Sequence, residues 1–132
     1  MSEPAGRSVL VDAASGAILA DHLHVASSFW ARFRGLMGRS SLGAGEGLYL
    51  RTASIHMFFM RFPIDALFVA RADPDGTRSV VAVHPSLPPW RGLVLPVRGA
   101  EGVVELPAGT LARTRVAVGD RVRLDAQAGV RA

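Results

Sequence analysis

Ser54-Ile55-His56-Met57-Phe58-Phe59-Met60-Arg61-Phe62-Pro63-Ile64-Asp65-Ala66-Leu67-Phe68-Val69 holds four of the six phenylalanines of the chain and sets a histidine, an arginine and an aspartate into otherwise apolar sequence. Burying such a run costs free energy unless the three polar groups are paired. From Ala66 to Val69 the apolar residues are unbroken, the pattern of a strand covered on both faces, whereas His56 to Pro63 has no clean period of two. Pro63 cannot donate to a ladder and marks a strand start or edge. The expectation is an approach segment over 56–62 followed by a central strand over 64–70.

Downstream, Asp73-Pro74-Asp75-Gly76 is a turn with a mechanism, since Pro presets one dihedral and Gly accepts positive φ; Ser79 to Val83 then pairs antiparallel with Ala66 to Ala70. His84-Pro85-Ser86-Leu87-Pro88-Pro89-Trp90-Arg91-Gly92 carries three prolines and reads as a stiff surface loop outside any sheet. Leu93 to Val97 and Gly102 to Pro107 read as strands, with Glu105 inside an apolar run. A short helix over 108–113 and a last strand with Val122 and Leu124 inward complete the C-terminal half.

Upstream, Ser8 to Val11 and Ala17 to Ala20 flank a polar connection of hairpin length, and 21–25 extends the second strand with His22 and His24 on one exposed face. Phe29, Trp30, Phe33, Leu36 and Met37 fall on one helical stripe between a serine cap and Gly38, so an amphipathic helix is expected there. Residues 40–47 form a Gly-rich loop reaching over His56, and Leu48 to Arg51 a short strand. The expected fold class is mostly β (α+β): a small antiparallel, partly closed β-barrel-like sheet with one amphipathic helix and one short helix. At 132 residues the whole chain reads as one domain, its tail from 126 to 132 frayed.

All fifteen basic residues are Arg, and the formal net charge is +4. That charge suits anionic partners, but the arginines are dispersed from Arg7 to Arg131, so nucleic-acid binding is not favoured. With no Cys, thiol nucleophiles, disulfides and thiolate metal sites are excluded. Residues 1–7 have no secretory apolar run and no segment has the length of a membrane span, so a cytoplasmic location is expected.

The order Arg34-Gly35-Leu36-Met37-Gly38-Arg39, then Ile55-His56-Met57-Phe58-Phe59-Met60-Arg61-Phe62-Pro63-Ile64-Asp65, then Glu105-Leu106-Pro107-Ala108-Gly109-Thr110 and Val118-Gly119-Asp120 resembles the bacterial and archaeal family of domain of unknown function 192 over roughly residues 20 to 124. Much of that family carries a Trp-Met-Lys-Asn type sequence where this chain has His56-Met57-Phe58-Phe59. The resemblance implies a compact, mostly β fold with short helices and brings no established activity.

Two classes of function follow from the residues. In the first, a ligand-binding or accessory module, Phe58 and Phe59 floor a cleft around 56–65 and Arg61, Trp90, Arg91 and Arg98 contact a small molecule or peptide. In the second, a hydrolase, His56, Asp65 and Glu105 converge as catalytic groups: a carboxylate fixes the histidine tautomer and another acts as acid or base. Its structural alternative pairs Arg61 with Asp65 or Glu105. No metal site and no cofactor are expected, and Phe58 with Phe59 also suits a partner or dimer surface.

Overall fold

The computed structural model describes residues 7–26 and 41–126. Nine strands and a short helix run in the order β1 (Arg7–Asp12), β2 (Ile18–Ala26), β3 (Glu46–Leu50), β4 (Ile55–His56), β5 (Ile64–Val69), β6 (Thr77–Leu87), β7 (Leu93–Val94), β8 (Gly102–Pro107), α1 (Thr110–Thr114) and β9 (Arg121–Ala126). Seven strands close a barrel in the order β1-β2-β3-β8-β5-β6-β9, while β4 and β7 form a separate two-stranded ribbon. The barrel is fully closed rather than partly. One neighbour pair, β2 with β3, is parallel, and the rest are antiparallel. The physical reason is the connection: 27–45 is long enough for the crossover a parallel pair needs, whereas the other sequential neighbours are joined by tight turns. The helix expected over 29–38 lies outside the described residues.

The β5–β6 hairpin forms as expected. Its turn closes with Gly76 N donating to Asp73 O at 2.8 Å, Gly76 at φ 87°, and Asp75 Oδ1 accepting from Thr77 N at 2.9 Å. The β1–β2 hairpin turns where expected, Asp12 N donating to Ala17 O at 2.8 Å. Two sequence expectations need correction. β6 continues through Pro85 to Leu87, because its pairing with β9 is confined to Thr77–Ser79 and the far edge beyond demands no N–H; a register shift between Ile64 and Ala66 absorbs the proline. β7 stops at Val94, short of the strand expected to Val97.

Alternation along β5 and β8 divides the interior into two layers. Leu67, Val69, Val104 and Leu106 face the barrel axis with Leu10, Leu23, Tyr49, Val80 and Val122, and Leu111 of α1 packs at the end of that core. Ile64, Ala66, Phe68 and Val103 face outward, against Ile55 and Val94 of the ribbon and Met57, Met60 and Phe62. β5 is therefore buried along its whole length, as its unbroken apolar run predicts. Each fully buried large side chain contributes about 1.5–3 kcal/mol. The outer layer accordingly anchors residues 55–62 and 87–97 firmly to the barrel wall.

Candidate functional site

Asp65 points toward the barrel axis and is completely buried. Its Oδ1 accepts a hydrogen bond from Ser86 N at 2.8 Å, and its Oδ2 accepts from Gly109 N at 3.1 Å and Leu111 N at 2.8 Å. The start of α1 has no local side-chain cap, so the carboxylate supplies that cap from a strand far away in sequence. Asp65 thereby ties three segments together, each bond charge-assisted.

Glu105 is also completely buried but leaves β8 on the other side of the wall. The register pairs it with Ala66 and Leu48, both on the outward layer, while Asp65 pairs with Leu106 on the inward one. Strand alternation sends directly opposed residues to the same face, so the two carboxylates project to opposite sides of the sheet. His56 belongs to the ribbon, opposite Leu93, with its ring centroid 4.8 Å from that of Phe58. The expected convergence of His56, Asp65 and Glu105 is therefore corrected: Asp65 is separated from Glu105 by the barrel wall and spends its carboxylate on backbone amides. Nor does Arg61 pair with either carboxylate; it is exposed and belongs to no ion pair among the described residues.

What the fold does assemble is a pair of interlocked turns. Met57 is the knot: its N–H donates to Gly92 O at 2.9 Å, and its carbonyl accepts from both Met60 N at 3.0 Å and Trp90 N at 2.9 Å. In the first turn, Met57 to Met60, the third residue is Phe59 at φ 70°, a position where glycine is the usual occupant. In the second, Arg91 N donates to Pro89 O at 2.7 Å around Trp90 at φ 66°, a γ-turn of the rare positive hand. Left-handed backbone at a bulky residue costs about 1–2 kcal/mol, and here two aromatic residues bear it side by side. Gly92 makes the interlock sterically feasible: a β-carbon there would lie 2.6 Å from Met57 Cγ and 3.0 Å from the Pro88 carbonyl oxygen.

These turns hold their aromatic rings outward. Phe58 is 52% exposed and Trp90 53%, and the Trp90 ring meets Phe59 edge-on at 5.2 Å. Phe58 and Phe59, expected as the floor of a cleft, are thus on the surface. Leu93, opposite His56 in the ribbon, and Leu95, both expected inside a strand, are exposed as well, Leu95 by 71%. Arg91 and Arg98 are exposed and, like Arg61, belong to no ion pair among the described residues. The exposure of Leu93 and Leu95 is not legible in the sequence, since a Leu-Val-Leu alternation has no sign telling which parity faces out. The one available signal was Pro96, which shortens the strand.

Elsewhere, Arg78 and Glu101 form a partly buried pair. Arg78 donates to Glu101 at 2.9 Å and to the Ala70 carbonyl at 3.1 Å; that pairing holds the Glu101 carboxyl below its ordinary range, and burial raises the Tyr49 phenol beside it. His22 and His24 are exposed on one face of β2, with His22 Nδ1 3.0 Å from Asp21 Oδ1. Among the described residues no group of three His, Asp or Glu side chains is placed to hold a metal, and no helix is long and apolar enough to cross a membrane.

Fold and site together define a small closed barrel of mixed strand direction, with an apolar outer layer that ends in two interlocked, aromatic-bearing turns. Residues 10–124 match the profile of the family DUF192, Uncharacterized ACR, and the chain belongs to that family. It is 32% identical over 119 residues to a UPF0127 protein of Thermococcus sibiricus, covering 86% of this chain and 73% of that one. It is 31% identical over 122 residues to a UPF0127 protein of Thermococcus gammatolerans, covering 89% and 75%. Among solved structures, a Sinorhizobium meliloti protein provisionally described as a transcription regulator superposes with a TM-score of 0.68 at 25% identity, covering 94% of this chain and 98% of that one. A protein of unknown function from Novosphingobium aromaticivorans gives 0.69 at 27% identity, covering 88% and 83%.

Proposed function

We propose that this domain is a binding or accessory module that engages its partner through the interlocked turns, with Phe58, Phe59 and Trp90 as apolar contacts and Arg61, Arg91 and Arg98 at their margin. The observation that carries the reading is the strain: Phe59 and Trp90 both adopt positive φ in contact with each other, and both remain exposed. Backbone strain that leaves half of each ring in water persists where the exposed part has a use. Five of the eight exposed large hydrophobic side chains among the described residues (Phe58, Phe59, Trp90, Leu93 and Leu95) lie on these two turns or on the segment 93–95 that follows the second, which concentrates the surface in two short stretches joined by the β4–β7 ribbon. The Sinorhizobium protein's description supports a macromolecular partner over a metabolite. The hydrolase alternative keeps His56 and Glu105 but loses Asp65 as their companion.

The test places a photo-crosslinking amino acid at Phe58 or Leu95, with Ile18 and Val118 as comparison sites, in the full chain inside producing cells. Adducts of any chemical kind from positions 58 and 95, and not from 18 and 118, are expected. Equal yield at all four positions, or none at 58 and 95, would overturn the proposal.

A further inference from the structure

The turns also carry information about what they meet, and this step rests on the proposed function. Residues 51–63 and 88–100 contain four arginines, at 51, 61, 91 and 98, and not one Asp or Glu. Arg51 leans on Glu101 at 3.6 Å, while Arg61, Arg91 and Arg98 are exposed and belong to no ion pair among the described residues. Exposed apolar side chains on segments that carry only positive charge fit an anionic partner.

Three features favour a lipid surface among anionic partners. First, the side chains are a mixture of Trp, Phe and Leu carried on turn tips. Trp settles at the headgroup level, and Phe and Leu enter the acyl boundary beneath it. Leu93 and Leu95 give nothing to a stacked base, so a single-stranded nucleic acid would leave the most exposed part of the patch unused. Second, five amides of the turns are bonded within them. Met57 N, Met60 N, Trp90 N, Arg91 N and Gly92 N all donate to carbonyls within the two turns, so these amides enter a poorly hydrated layer without being stranded. Third, arginine stems can lie along the apolar patch while the guanidinium groups reach lipid phosphate. Stable attachment to a bilayer takes two signals, and the patch provides both an apolar and a basic one.

We infer that the Phe58–Phe59 and Trp90 turns, with Leu93, Leu95, Arg61, Arg91 and Arg98, seat this domain on the interface of an anionic lipid bilayer. The experiment uses the full chain with unilamellar vesicles, either phosphatidylcholine alone or an equimolar mixture with phosphatidylglycerol, and with single-stranded DNA and RNA oligomers. Co-sedimentation with the mixed vesicles, weakened by salt and slight with phosphatidylcholine alone, is the expected result. Arg98→Ser should weaken it roughly fivefold. Leu95→Ser should weaken it roughly tenfold or more, with an unchanged denaturation midpoint because the side chain is exposed.

Failure to sediment with the mixed vesicles, sedimentation insensitive to Leu95→Ser, or retention by the oligomers alone would overturn the membrane assignment. Its failure is separable from that of the proposed function. Crosslinks at 58 and 95 that carry protein or nucleic acid but no lipid would leave the binding module standing with a different partner. Absence of every crosslink at those positions would remove both.

Discussion

Asp65 and the Phe59–Trp90 pair break the same rule in opposite directions. Asp65 is a carboxylate with no solvent exposure, and the two aromatic residues are half exposed on strained backbone. The first irregularity is repaired: three backbone amides converge on the carboxylate, and both its oxygens are used. The second is not repaired. The turns bond five of their amides internally but leave about half of each ring, and most of the Leu95 side chain, exposed. A buried polar group that is fully bonded is a structural device, whereas an exposed apolar group held at an energetic cost points outside the molecule.

The sharpest way to break this contrast is at Asp65. Asp65→Ala strands three amides and uncaps α1, and should cost about 3–5 kcal/mol in chemical denaturation. Asp65→Asn keeps one acceptor oxygen but turns an amide group toward N–H donors, so it should lose less, about 2 kcal/mol. If both variants kept wild-type stability while an activity disappeared, Asp65 would be a chemical residue after all. At Gly92 the expected loss is smaller. Gly92→Ala pushes a methyl group against Met57 and the Pro88 carbonyl, which should cost about 1–3 kcal/mol and speed hydrogen exchange at Met57 and Trp90, the amides that lock the turns.

The two regions also differ in how far the sequence discloses them. The Pro74-Asp75-Gly76 turn and the apolar run of β5 announce themselves locally, because turn chemistry and strand period are carried by neighbouring residues. Asp65 stands out in the sequence as an aspartate in apolar surroundings, but its donors come from Ser86, Gly109 and Leu111, and only the closed barrel brings those together. The expected partnership with Glu105 fails on parity, and parity is fixed by pairing Asp65 with Leu106 rather than with Glu105. That register is a long-range property. The strained turns are less legible still: glycine or asparagine advertises positive φ, and Phe59 and Trp90 do not. Trp90 stands out only because Pro85, Pro88 and Pro89 precede it, and the length of β6 shows that Pro85 does not end that strand as expected.

A milder comparison sets Asp65 against a carboxylate whose partner is a charge. The hydrogen bond from Arg78 holds the Glu101 carboxyl below its ordinary value of 4.5. A group whose pKa is depressed by folding contributes stability that is complete above its unfolded pKa and is lost as pH falls through the folded one. Denaturation midpoints should therefore decline below about pH 4.5, and Glu101→Gln should flatten that part of the profile while lowering the plateau at neutral pH. A profile unchanged by Glu101→Gln would show that the pair is too well solvated to matter.

The smallest stability effect tests the comparison most directly. Phe59→Gly removes the left-handed strain, a gain of about 1 kcal/mol, and loses the edge-on contact with Trp90, worth about 0.5–1.5 kcal/mol. These two terms nearly cancel, which leaves the covered half of the ring as a net loss of about 1 kcal/mol, while vesicle sedimentation and crosslinking from position 58 should fall. That combination is what separates a residue kept for contact from one kept for folding. A large loss of stability would mean that Phe59 anchors the turn, and the aromatic pair would then belong with Asp65 on the structural side of the comparison.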